Sequence, residues 1–402
     1  MVFLLRMVNS FVFFFILLLF MSIGCKYSSS DSSGSSENAI EFNGKYTLVE
    51  TGKIVLPLDD NTSFNHNSIH YSMVGPTGYI SFINRNNKSV YYYSLDSLVP
   101  HKIILQEEGP DGVGTLSSSS AHFFKSPNEI YILNKENGRF FRIDSTSRVI
   151  SRYPLVDYDY YPYSTYPDPS AIAPIYNKGS SFYFTGHIDN SKKDFLTHGG
   201  IVKYDTLTRE MDLLYIFPDV YHENFWGSPF KYQTYFTINE KDEMIISNPL
   251  SHDVRVGDLS GRLLSEHYVR SEFVKDVPPM YEDIEYAFSE NRDFDKENDY
   301  SFSHSDYMTM MYNNVEDVYY RLTYVRPNLE QVQSKTGKTD FSVIILDKTF
   351  KKLGEERFSS DIYDTWMILN SELGLLLARK DLYAENEDEL VFSIFNLEEI
   401  DG

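Results

Sequence analysis

The sequence predicts an all-β chain: a six-bladed β-propeller closed by an N-terminal strand that completes the last blade. Three observations carry this. A unit of two short strands about a turn, ending on an apolar residue followed by aspartate or asparagine, recurs six times. Each copy except the last can be filled out to four strands. The last copy lacks its fourth strand, and a spare strand stands near the N-terminus.

The first unit joins residues 80–82 to 90–96, where Tyr93-Ser94-Leu95-Asp96 closes it. The others join 130–133 to 140–144, 182–185 to 201–205, 244–247 to 254–258, 320–325 to 342–347 and 374–378 to 391–396, with Asn396 where the rest have aspartate. Intervals between the closing residues are 48, 61, 53, 89 and 49, and periods near 40–50 with four strands each suit propeller blades. Preceding strands are visible at 69–74, 122–125, 173–177, 233–239, 307–312 and 365–370, and following strands at 101–105, 149–154, 211–216, 263–269 and 351–358. The spare strand at 52–57 supplies the missing one, which removes two exposed edges at once. A pair of β-sandwiches is the rival architecture, and it leaves that match unexplained.

Ahead of the blades, Arg6, the apolar run 11–21, Ser22-Ile23-Gly24 and the lone Cys25 make a secretory leader. The cysteine resembles that of a bacterial lipobox, which predicts a signal peptide over 1–24, acylation of Cys25 and a membrane held through lipid, such as palmitate. Ser22 stands where leucine is usual, so plain signal cleavage and a spanning anchor stay open, although the run is shorter than the ~20 residues of a spanning helix. The serine-rich stretch within 25–40 cannot bury apolar area and reads as a flexible tether. The propeller is expected over 41–402, with an acidic insertion at 271–306.

Loss of Arg6 with the leader takes the net charge from −22 to −23. Nucleic acid and anionic lipid surfaces are therefore poor partners for the body as a whole, and no nucleic acid is expected. Without Cys25 no disulfide or metal–thiolate site can form.

The pattern resembles the six-bladed, TolB-like propeller lipoproteins of Bacteroidetes, and most closely the domain-of-unknown-function family numbered 4221. The resemblance rests on the leader, on Glu108-Gly109-Pro110-Asp111-Gly112-Val113-Gly114, on Tyr319-Tyr320-Arg321 and on the stretch SVIILDKTFKKLGE at 342–355. It implies a fold and an envelope address, at the outer membrane on its periplasmic side or at the cell surface, and no activity.

Loops joining strand two to strand three of a blade share one face with loops joining successive blades. The long segments are 189–199, 328–339 and 381–389 of the first kind, and 157–170, 219–228 and 271–305 of the second. All are thus expected on one face, where long loops on a rigid scaffold carry binding. At the ends of the second strands stand Arg85, Lys135, His187, Pro249, Arg326 and Arg379. Converging on the axis, these cations predict a funnel for an anionic glycan or peptide; pairing with local acids is the alternative. The segment 157–167 displays five tyrosines between prolines, among them Tyr160, Tyr163 and Tyr166, and suits sugar or peptide recognition. His222 and Trp226 are expected to extend that surface.

Catalytic signals are thin. His66 and His70 have zinc-like spacing only on a helix, and this region reads as a loop entering a strand. Asp293–Asn298 is similar to a calcium loop but lacks its glycine and its bidentate glutamate; no cofactor and no metal site are expected, with loose calcium association in this acidic insertion as the alternative. From 271 to 310 there are 11 acids against 3 bases, which reads as a solvated lid with a short helix at 282–290. The leading expectation is a non-catalytic envelope module that binds a glycan, peptide or protein partner. The alternative is a glycan hydrolase or lyase at the axis, which requires titratable groups such as Asp159, His187, His222 and Arg326 to meet at one point.

Overall fold

The computed structural model describes residues 44–64 and 66–400. The fold expected from the repeats is the fold observed: six antiparallel sheets, one per blade, with strands paired in chain order. The closing strand β1 (Tyr46–Pro57) precedes blade one, which is β2 (Ile69–Val74), β3 (Thr77–Asn84), β4 (Ser89–Ser94) and β5 (Pro100–Ile104). Blade two is β6 (Ala121–Ser126), β7 (Glu129–Asn134), β8 (Arg139–Ile143) and β9 (Val149–Pro154). Blade three adds β10 (Thr165–Pro167) to β11 (Tyr176–Lys178), β12 (Ser181–Ile188), β13 (Ile201–Asp205) and β14 (Met211–Leu214). Blade four is β15 (Tyr235–Ile238), β16 (Glu243–Ser247), β17 (Asp253–Asp258) and β18 (Leu263–Tyr268). Blade five is β19 (Asp306–Asn313), β20 (Val318–Val325), β21 (Asp340–Asp347) and β22 (Lys352–Phe358). Blade six is β23 (Tyr363–Ser371), β24 (Gly374–Arg379) and β25 (Glu389–Glu399).

The ring closes where expected. β1 runs antiparallel to β25, from Tyr46 opposite Glu399 to Pro57 opposite Glu389, and buries Leu48, Ile54 and Leu56. Between blades the packing is aromatic: Phe182 meets Tyr131 at 4.6 Å between ring centroids, and Phe358 meets Phe395 edge-on at 5.2 Å. Most tyrosines serve this packing, the role that their number and spread suggest.

The recurring aspartate has a local cause. In the turn between the third and fourth strands, one carboxylate oxygen accepts backbone N–H groups a few residues ahead. Asp144 takes Thr146 N at 2.9 Å and Arg148 N at 3.1 Å; Asp258 takes Ser260 N at 2.9 Å and Arg262 N at 3.1 Å; Asp347 takes Thr349 N at 2.8 Å and Lys351 N at 3.0 Å. Asp205 does the same with Leu207 and Thr208. Such turns carry a residue at positive φ, here Ser147, Arg209, Gly261 and Phe350. In blade one Ser94, not Asp96, takes this place: its Oγ accepts Asp96 N at 3.3 Å, and Leu98 has the positive φ. Asn396 lies opposite Val49 of β1, so no such turn follows it.

The motif at 108–114 is a structural brace between blades one and two. Val113 N donates to Gln106 O at 2.8 Å, Asp111 Oδ1 accepts Val149 N at 3.1 Å, and Arg152 donates to Pro110 O. Any Cβ on Gly112 would lie 2.6 Å from Glu107 O.

The acidic insertion differs from expectation. Instead of a solvated lid it forms a 3-10 turn (Ile284–Phe288) and α1 (Phe294–Ser303), both set into a second hydrophobic cluster. Ala287, Met280 and Tyr300 pack there against Phe195, Phe217, Tyr221 and Trp226 from the two neighbouring long loops. The buried Glu297 of α1 pairs at 2.6 Å with the half-buried Arg292 just ahead of the helix. The calcium-like stretch is the start of α1, with Asp293 Oδ1 accepting Lys296 N at 3.2 Å as its N-cap. Acids outnumber bases in this segment, but Met280, Tyr281, Ile284, Ala287 and Phe288 find apolar neighbours on the adjoining loops and bury against them.

Candidate functional site

Each second strand delivers its last residue to the long-loop face, and there the expected cations meet acids. Arg326 donates to Asp306 from Nε at 2.9 Å and lies 4.5 Å over the Tyr324 ring. Burial works against its charge, yet Asp306 holds its basicity above the ordinary value. Asp306 also accepts from Lys231 Nζ at 2.8 Å, and Lys231, wholly buried, has its pKa pushed down to about 8. Arg379 grips Asp381 with two hydrogen bonds, at 2.8 and 2.6 Å, and that grip raises its basicity. Lys135 pairs with Asp168, whose other oxygen lies 3.8 Å from His187 Nδ1. Burial lowers the His187 pKa, so the ring is neutral near pH 7, with Asp168 opposing the shift. Arg85 is exposed, and among the described residues no carboxylate lies within ion-pairing distance of it. The register of positive residues is therefore present, but its charge is largely cancelled in place.

The axis on this face is also plugged. The connection from blade two to blade three dips inward, so that Ile172 and Ala173 pack with Met308, Met311 and Ile368 while Ala171 packs with Ile69, Met367 and Leu369. Ala171 N donates to Asn67 O at 2.8 Å, which holds the plug to blade one. An axial funnel is replaced by a cleft beside the axis, between blades two and three.

That cleft, of about 320 Å³, is lined by Leu133, Lys135, Tyr158, Tyr166, Pro167 and His187, among others. Tyr158 and Tyr166 stack with centroids 6.2 Å apart, and Tyr158 donates to Lys135 O. Lys192 Nζ donates to Tyr166 OH at 2.8 Å and to Tyr163 O at 2.9 Å. Residues 165–167, expected within a display loop, instead form β10, which sets Tyr166 opposite His187. Tyr163 is half-buried and edge-on to His198. Tyr160 projects freely, 83% exposed.

Trp226 does not extend this surface: it is 3% exposed, and its Nε1 donates to Val220 O at 3.1 Å. His222 is exposed and bonds Phe217 O at 3.1 Å. Other aromatic residues, not singled out in the sequence, stand exposed on the long loops: Phe230, Phe294 and Phe302. Asp159, His187, His222 and Arg326 share no hydrogen bond or ion pair among the described residues. No group of three or more His, Cys, Asp or Glu that could hold a metal occurs among them either. Cys25 and the tether lie outside the described residues, and among those described no helix is long and apolar enough to cross a membrane.

The opposite, tight-turn end of the axis holds a larger cavity, about 380 Å³, lined by residues from all six inner strands. His70, Phe123, Tyr176, Thr237, Tyr312 and Asn370 are among its walls, and Ala171, Pro174 and Ile175 of the plug also line it. A buried chain runs away from it: His70 Nε2 to Ser68 Oγ at 3.2 Å, Ser68 Oγ to His122 Nδ1 at 2.8 Å, and His122 Nε2 to Ser81 Oγ at 2.8 Å. His66 takes no part; it stacks on Phe82 at 3.9 Å. The sequence offers His66 and His70 as a pair, whereas His70 is linked through Ser68 to His122, 52 residues away on β6, a connection legible only through strand register.

Comparison with known proteins agrees with this architecture. A family model described as a domain of unknown function, DUF4221, matches residues 45–357. A solved structure of a DUF4221 family member from Bacteroides vulgatus superposes with a TM-score of 0.75 at 18% identity, covering 89% of this chain and 100% of that one. A Bacteroides fragilis protein described as exported superposes at 0.53 with 11% identity, covering 89% of this chain and 96% of that one. Likeness at such identity speaks to the fold alone. A search of curated proteins finds no match.

Proposed function

The chain belongs to the DUF4221 family, and from that premise we propose that it is a non-catalytic binding or scaffold module of the cell envelope, lipid-anchored at Cys25, which captures a peptide or protein segment on its long-loop face. One observation carries this reading: Tyr158 in the cleft between blades two and three, Tyr160 on the same loop, Phe230, and Phe294 and Phe302 on α1 are all exposed, and α1 is seated through Tyr300 in the hydrophobic cluster of the long loops. Large aromatic side chains held at low entropic cost are what peptide-binding surfaces use. With Lys135, Arg326 and Arg379 each engaged by a carboxylate, the face has little net attraction for an anion. A neutral glycan stacked on Tyr158 and Tyr166 is the other occupant that the chemistry suits.

A catalytic reading draws on the meeting of Lys135, Asp168 and His187 in the cleft. Glycoside hydrolysis needs two carboxyl groups flanking one bond, and here Asp168 is held by Lys135 while Asp306 is held by two cations. The binding reading accounts for both.

A photo-crosslinking residue placed at Tyr160 or Phe294 in the full chain, expressed in cells, tests this. Adducts with a discrete envelope protein at both positions, and none from Leu207 on the opposite face, are expected. Equal labelling at 207, or no adduct at 160 and 294, would overturn it, and adducts with glycan alone would move the ligand class to sugars.

A further inference from the structure

We infer that the tight-turn face lies against the phospholipid surface that carries the anchor and touches it with apolar turn tips, so that the long-loop face is presented away from the membrane. This rests on the lipid anchor at Cys25 in the function proposed above.

Three observations point there independently, and the first is where the chain enters the propeller. The described chain starts at Gly44 and joins β1 at Tyr46, opposite Glu399. Glu399 ends the third strand of blade six, at the tight-turn end, and β1 runs from there to Pro57 at the long-loop end. The link to Cys25 therefore leaves from the tight-turn face. To lay the long-loop face on the membrane, that link would first have to run back past β1, whose 12 residues span about 36–40 Å. The 18 residues from 26 to 43 are serine-rich, and a chain of that length and composition averages only about 21–25 Å end to end.

The second is a set of apolar side chains at turn apexes. Val99 and Leu207 stand between third and fourth strands, Val315 and Leu373 between first and second strands, and they are 54%, 82%, 59% and 44% exposed. None of the four belongs to a hydrophobic cluster of the described residues. Turns favour Gly, Pro, Asn, Asp and Ser for conformational reasons, so these four serve neither the turn nor the core. Spread over blades one, three, five and six, they are placed to meet a plane rather than to line a groove, and apolar side chains on a surface of that kind sink into the headgroup boundary.

The third is charge. The six long loops carry 23 acids and seven bases. The eleven tight turns, with the strand-end Asp205, Asp258 and Asp347 included, carry 11 acids and six bases, and Asp144 is paired there with Arg148 at 3.3 Å and Asp317 with Lys348. A leaflet that contains anionic headgroups repels the long-loop face more strongly than the tight-turn face.

The full chain, purified with its lipid from a bacterial host and reconstituted into vesicles of phosphatidylethanolamine and phosphatidylglycerol with a headgroup acceptor dye, tests the inference. A donor dye is attached at Leu207→Cys or Val315→Cys, and in separate chains at Tyr160→Cys or Phe294→Cys; the acylated thiol of Cys25 takes no dye. Energy transfer from 207 and 315 should exceed that from 160 and 294 by about twofold or more, since a blade length of about 36–40 Å separates the two faces. Leu207→Ser combined with Leu373→Ser, exposed changes that leave the thermal melt in place, should lower the transfer from 315. The inference is overturned if 160 and 294 transfer as strongly as 207 and 315, or if the doubly substituted chain transfers from 315 as strongly as its parent. Flotation reports the anchor separately: a chain that floats with the vesicles no better than Cys25→Ala removes the anchor and this inference with it, whereas one that floats but transfers equally from both faces removes the orientation alone.

Discussion

Arg321 is wholly buried on β20, and replacing it tests whether hydrogen bonding or desolvation governs the joint between blades four and five. Its guanidinium donates to Ser251 O at 2.6 Å, His252 O at 2.7 Å, Val269 O at 2.9 Å and Ser247 Oγ at 3.1 Å, and it lies 3.5 Å over the Tyr307 ring. His252 O also accepts Val269 N, so loss of the arginine leaves two carbonyls, Ser251 and Val269, without this donor. At about 1–3 kcal/mol for each orphaned buried group, Arg321→Met, which keeps much of the volume, should cost about 2–6 kcal/mol. Arg321→Ala adds an unfilled cavity and should cost about 2 kcal/mol more. Against this stands the desolvation of the cation, visible in a basicity pushed down by burial to about 10. Buried charges replaced by apolar groups have proved neutral or stabilising where that penalty dominates. Equilibrium urea unfolding, followed by tryptophan fluorescence and circular dichroism, gives the difference directly. An Arg321→Met variant as stable as wild type would refute the bonding argument, and an Arg321→Ala variant that lost nothing beyond Arg321→Met would refute the cavity term.

Stability should fall on mild acidification. His66 and His70 have folded pKa values of about 3 and His122 is also lowered, all through burial, while the unfolded chain protonates near 6.5. The unfolded state therefore binds more protons from about pH 6.5 down to 3, and each histidine removes up to about 1.4 kcal/mol per pH unit there. Lowered carboxylates such as Asp205, near 2 because Ser180 and backbone amides hold its charged form, add a loss only below their unfolded value of 3.8. An unfolding free energy that does not decline between about pH 7 and 5 would contradict the burial of these rings. For the anchor, labelled palmitate should enter the wild-type chain in a bacterial host and fail to enter Cys25→Ala, which should leave the membrane fraction. Equal labelling of both would remove lipidation at Cys25.

Blade count and closure were legible because they rest on local chemistry. An aspartate that caps a turn through its own backbone recurs wherever that turn recurs, and Asp144, Asp258 and Asp347 mark it at near-regular spacing. In blade one the pattern points to Asp96, two residues late, because Ser94 performs the same task with a hydroxyl. The site was less legible. Residue type and strand end placed Arg326 and Arg379 on the long-loop face, but their neighbours Asp306 and Asp381 determine whether they act as free charge. Trp226 and the acidic insertion were read as surface from their loop address, whereas three loops distant in sequence meet to bury them.

The repeat, the fourth strand missing from blade six and the spare one that fills it can be read along the chain, since strand periodicity and turn chemistry are properties of a few consecutive residues. The plugging of the axis by 171–175, the largely neutralised positive register, and the buried chain of Ser81, His122, Ser68 and His70 come from folding alone. Each of these depends on which strands become neighbours and in what register, and no spacing along the chain encodes a contact between blades.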